Sequence, residues 1–176
     1  MKKGFELRNL ILAGLLAGLA IVCVRLLPVW FLPPGTFLVR ADLSFLVFAL
    51  AGWIIGPGWA MGSAMTADVV GVLINPTGTG QFFPGYTLTA GLSGLLYGLI
   101  LHKRSPSYLR AAIAAAGHMM LIALPLTSLW FSMQGFYEDF QLPFWAALPW
   151  RAALVLPYSL VIFGAQKALD KAVNKL

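Results

Sequence analysis

Asn75–Gly98 reads NPTGTGQFFPGYTLTAGLSGLLYG. Its first half, through Gly85, is dense in Gly, Pro, Thr and Asn, residues that favour turns and leave backbone N–H and C=O groups unpaired. Phe82, Phe83 and Tyr86 place aromatic faces among them. The second half turns abruptly into an apolar helix. Beside hydrocarbon, irregular backbone is tolerated only in water, buried in protein or lining a polar cavity. The stretch is therefore either a connector outside the membrane or the wall of a cavity between two membrane segments.

Composition decides that there is a membrane. Of 176 residues, 60% are hydrophobic and 10% charged, with a mean hydropathy of +0.83; soluble domains carry about 25% charged residues. We expect a multi-pass cell-membrane protein with one domain, residues 1–176. The apolar run Leu10–Leu27 is too long for a signal-peptide core and lacks a small-residue cleavage site. Cys23 stands alone, so no internal disulfide forms and the thiol is a packing group.

Apolar runs set against breakers predict an all-α integral membrane protein of six transmembrane helices. They cover about Glu6–Leu27, Ala41–Ile55, Trp59–Ile74, Tyr86–Leu101, Ser107–Phe131 with a kink at Pro125, and Leu148–Ala168 with Pro157 inside. Placing both termini in the cytoplasm puts nine of the twelve basic residues inside and leaves Arg25, Arg40 and Arg151 outside. That is a positive-inside pattern, so the net charge of +6 belongs to topology and not to nucleic acid.

Each outer arginine adjoins an outer helix boundary. Three guanidiniums at one depth can converge on an anion and grip a carboxylate bidentately. They can equally snorkel to headgroups or pair with Asp42, Glu138 or Asp139. Asp68 is the only carboxylate deep within a span, where an ionised carboxylate costs roughly 2.5–3.5 kcal/mol on insertion scales. It must face the interior, accepting from a ligand's ring amine or pairing with Arg25 or Arg40. On the first helix Ala13 and Ala17, and Gly14 and Gly18, repeat at i, i+4, a spacing that lets another helix approach closely, from a partner or from this chain.

There is no Gly-Lys dipeptide, hence no phosphate loop, and no His/Cys/Asp cluster with metal-ligand spacing. Neither a metal nor a cofactor is expected. Gly91-Leu92-Ser93-Gly94 reads GxSG and resembles the nucleophile motif of rhomboid intramembrane proteases, with His118 at similar depth on the next span. A serine protease using Ser93 and His118 is the alternative from another class. Against it, rhomboids place their histidine two helices later and supply oxyanion donors from a second polar segment.

With these residues in hand, the chain resembles the substrate-binding (S) components of energy-coupling factor (ECF) transporters, the folate-type group most closely. The likeness rests on Arg25, Phe37–Arg40, Ala51-Gly52, Gly56-Pro57, Asp68 with Gly71, and Asn75–Gly78. It continues through Phe82–Ala90, Gly94–Gly98, Ser128–Trp130 and Leu148–Arg151. FFPGYTLTA followed by LSGLLYG is its most specific part. The resemblance implies a non-enzymatic vitamin-binding protein whose broken outer loops enclose the ligand. It also implies a membrane-embedded coupling subunit contacting Ala13 and Ala17, two cytoplasmic ATPase subunits, and inward delivery by toppling in the bilayer. Folate or a related pterin is the expected ligand: Phe83, Tyr86 and Trp130 stack on the ring, Arg25, Arg40 and Arg151 take the carboxylate tail, Asp68 takes ring nitrogens, and Thr87 completes the site. Arg40–Leu43 and Gln134–Pro143 depart from the folate pattern, which leaves a different vitamin as the second candidate.

Overall fold

The computed structural model of the chain describes residues 2–26, 29–31, 39–41, 43–74 and 82–173. It contains α1 (Lys2–Leu26), a ribbon of β1 (Val29–Phe31) and β2 (Val39–Ala41), α2 (Ser44–Ile55), α3 (Pro57–Ile74), α4 (Pro84–Leu101), α5 (Tyr108–Ala116), α6 (Leu124–Met133) and α7 (Gln141–Val173). A π-helical turn, Gly117–Ala123, joins α5 to α6, so the helices make six spans. Three stretches, Glu6–Val24, Tyr108–Met133 and Gln141–Asp170, are long and apolar enough to cross a membrane. With 12 residues, α2 reaches only about 18 Å at 1.5 Å per residue.

Local chemistry sets the helix ends. Phe83 is extended and Pro84 follows at the first position of α4, where a missing N–H costs nothing. Between α2 and α3, Gly56 takes φ 89°, a left-handed conformation that a β-carbon resists, and the His102 ring packs over it. His102 Nδ1 lies 3.1 Å from the Trp53 carbonyl, and the Trp53 indole donates to the Arg104 carbonyl at 3.0 Å. The α2–α3 turn is thereby tied to the end of α4. A β-carbon at Gly94 or Gly98 would meet the backbone of Ala60 or Pro57, so glycine is what lets α4 lie flush on α3. The core that results runs through Trp53, Tyr97, Leu101 and Ile162, with Phe45 stacked on Tyr158 at 3.5 Å between centroids.

Three details depart from expectation. The β1–β2 ribbon, antiparallel with Trp30 opposite Arg40, stands where no strand is expected. The irregularity anticipated at Pro125 takes the form of a π-helical turn just before it: Pro125 has no N–H to give, and the Leu124 N–H reaches back five residues to the Met119 carbonyl. The last helix starts at Gln141, seven residues before Leu148, because Asp139 Oδ1 accepts the N–H groups of Gln141 and Leu142 at 3.0 and 3.1 Å. Asp139 thus caps a helix rather than pairing with an arginine. Pro143 then sits in the first turn, where its absent N–H has no intrahelical partner to lose.

Candidate functional site

Phe83, Tyr86 and Trp130 meet at the start of α4 and near the end of α6. Phe83 makes edge contacts with both other rings, at 5.6 Å between centroids in each case. Such pairs contribute roughly 0.5–1.5 kcal/mol beyond their burial. Gly85 lies beneath them, buried, and a β-carbon there would strike the Phe83 ring and the Trp130 indole. A glycine is what allows the two rings to close on the helix.

The rings are held by polar side chains that the sequence did not single out. The Trp130 indole N–H donates to Thr89 Oγ1 at 2.9 Å, and that hydroxyl gives its own proton to the Gly85 carbonyl at 3.0 Å. Gln134 Nε2 donates to the Tyr86 hydroxyl at 2.9 Å and to the Trp130 carbonyl at 3.2 Å. Thr89 follows Tyr86 by three residues, and Gln134 follows Trp130 by four. Their helical spacing from the rings is the one signal that could have found them.

Asp68, half-buried on α3, accepts a 2.7 Å hydrogen bond from Thr87 on Oδ2. Its partner among the described residues is a threonine on the neighbouring helix; the two arginines expected to pair with it have side chains outside the described residues. Arg25 and Arg40 lie on α1 and β2, but their side chains fall outside the described residues, as do Asp42 and residues 75–81. Arg151 projects from α7 to within electrostatic reach of His118 and Tyr158. Its Nε is fully enclosed and bonds to no described residue.

Ser93 and His118 are brought together, with His118 Nδ1 3.1 Å from Ser93 Oγ. The arrangement is not that of an activated nucleophile. Ser93 is 1% exposed and spends its proton on the Thr89 carbonyl at 2.7 Å. The ring nitrogen must therefore donate to the hydroxyl and cannot accept from it. Reached from Trp130 through Thr89 and Ser93, this contact links the rings to the π-helical turn. Ala13 and Ala17 face inward at 7% and 5% exposure, and the Ser63 hydroxyl donates to the Ala13 carbonyl at 2.9 Å. A β-carbon at Gly14 or Gly18 meets nothing within 4 Å, so the glycines are the outward pair.

Six helical spans, with rings at one end and a carboxylate and a guanidinium set among the helices, define a membrane-embedded substrate-binding component. Over residues 8–172 the chain matches the family described as ECF transporter, substrate-specific component, and it belongs to that family. It is 29% identical over 142 residues to the folate transporter FolT of Clostridium novyi, covering 80% of each chain. Identity is 33% over 130 residues with the FolT of Leuconostoc mesenteroides, covering 73% of this chain and 65% of that one. A crystal structure of FolT bound with folic acid superposes with a TM-score of 0.73 over 96% of this chain and 94% of that one, at 28% identity.

Proposed function

We propose that this chain binds folate or a related pterin at the ring-lined mouth of the bundle and carries it inward as an ECF S component of the cell membrane. The observation that carries the reading is the cluster of Phe83, Tyr86 and Trp130 over Gly85, set in a fold shared with a folic acid-bound neighbour. A flat heteroaromatic ring stacks on such faces at roughly 1–3 kcal/mol per ring, by analogy with base–aromatic stacking. Arg151, with Arg25 and Arg40, takes the carboxylate tail; Asp68, steadied by Thr87, takes ring nitrogens. Both termini lie in the cytoplasm, as the basic residues favour.

Transport then requires a membrane-embedded coupling subunit and two cytoplasmic ATPase subunits, since this chain has no phosphate loop. Docking expected on Ala13 and Ala17 moves one residue along α1, to Gly14 and Gly18, because the alanines are occupied by internal packing.

The test is titration of the detergent-solubilised protein with folic acid and with pterin alone, alongside mass spectrometry of co-purified small molecules. Losing a charge-assisted hydrogen bond costs about 1.5–3 kcal/mol, so Arg151→Ala should weaken folic acid binding by roughly tenfold or more. Pterin, which lacks the carboxylates, should be unaffected. Equal losses for both ligands reject the arginine assignment, and no saturable binding of either rejects the function.

A further inference from the structure

We propose that Thr89 and Gln134 are the positioning residues of this site, setting the angle of the rings and through it the choice of ligand. The inference rests on the ring-binding reading above and deepens it. Both act through another side chain and neither stacks on anything.

Thr89 works by exhausting its options. Its only proton goes to the Gly85 carbonyl, so towards the Trp130 indole the oxygen presents lone pairs alone. The indole ring is thereby fixed in plane over Gly85. A serine keeps this arrangement; a valine of similar shape removes the acceptor and leaves the indole N–H unpaired.

Gln134 is fixed by a different constraint. A carbonyl can only accept, so the amide atom 3.2 Å from the Trp130 carbonyl must be the nitrogen. That nitrogen's two protons go to the Trp130 carbonyl and the Tyr86 hydroxyl. Two consequences follow. Gln134 couples the ring on α4 to the ring on α6, and it turns the Tyr86 oxygen into an acceptor whose own proton remains to be given. That proton is a donor for the polar edge of a heteroaromatic ring.

The experiment uses the full chain in lipid nanodiscs with folic acid as probe. Thr89→Val should weaken binding about tenfold, the cost of one unpaired buried N–H, with Thr89→Ser staying within about twofold of wild type. The indole N–H proton resonance of Trp130, assigned by its loss in Trp130→Phe, should move in Thr89→Val and hold in Thr89→Ser. Gln134→Met should weaken binding about threefold to tenfold in the wild type but under twofold in the Tyr86→Phe background, because its effect passes through the phenol. The assignment is overturned by an unmoved resonance in Thr89→Val, or by a Gln134→Met loss that is the same in both backgrounds. The second cycle stands even where Thr89→Val fails to fold. Failure of the wild type to bind folic acid counts against the proposed function instead, and the resonance still decides the positioning role.

Discussion

Gly85 shows how narrow the tolerances are at the scale of one residue. It is buried, and a methyl there would land on both the Phe83 ring and the Trp130 indole. Gly85→Ala should therefore open the ring cluster, at an overpacking cost of about 1–3 kcal/mol spread between stability and ligand affinity. We expect folic acid binding to fall at least tenfold while the protein still elutes as a single species. Binding within twofold of wild type would mean that the rings do not form the site. Phe83, Tyr86 and Trp130 do come together as expected, and the Gly/Pro-rich break between apolar runs is what marked out the first two. Their polar support was not legible in the sequence. Thr89 and Gln134 carry ordinary side chains, and only the meeting of α4 with α6 turns them into partners of Tyr86 and Trp130. Asp68 was found by its depth, but its Thr87 partner depends on which face of α4 meets α3, which sequence spacing leaves open.

At the scale of elements, apolar runs predicted six spans, and six are present. The places where reading failed share a cause: they are governed by hydrogen bonds between a side chain or an absent N–H and the backbone, not by hydropathy. Asp139 draws α7 out to Gln141, and the shortfall of one donor at Pro125 accompanies a seven-residue π-helical turn. An Asp just before an apolar run, a helix-start signal, was present at Asp139 but lay ahead of the run taken as the last span. Asp139→Ala should cost about 1 kcal/mol as a lost N-cap. In a chain of this size that lowers the unfolding midpoint in detergent by about 2–4 °C. Glu138→Ala, on an exposed neighbour outside the cap, should leave it unchanged. Equal shifts for the two would show that charge at the mouth matters and the cap does not.

For the molecule as a whole, holding a ligand and moving it are assigned to different surfaces. The rings lie at the α4–α6 end of the bundle, whereas α1 presents Leu10, Ile11, Leu15, Leu19 and Val22 outward, with Gly14 and Gly18 as the gap between them. Hydropathy alone cannot separate that face from one that meets lipid, and the two differ only in what a bulky side chain does there. A leucine at Gly14 or Gly18 enters open space, so it costs the isolated chain little beyond its own burial. A leucine at Ala13 enters the contact where Ser63 donates to the Ala13 carbonyl, and should destabilise the fold by about 1–3 kcal/mol. The expected pattern is therefore asymmetric. Gly14→Leu/Gly18→Leu should keep folic acid affinity and the unfolding midpoint of wild type while abolishing uptake and co-purification with a coupling subunit in reconstituted vesicles. Ala13→Leu should lower the midpoint and with it everything measured downstream. Uptake that survives the double glycine replacement would place the coupling subunit on another face of the bundle, and leave the α1 groove to lipid.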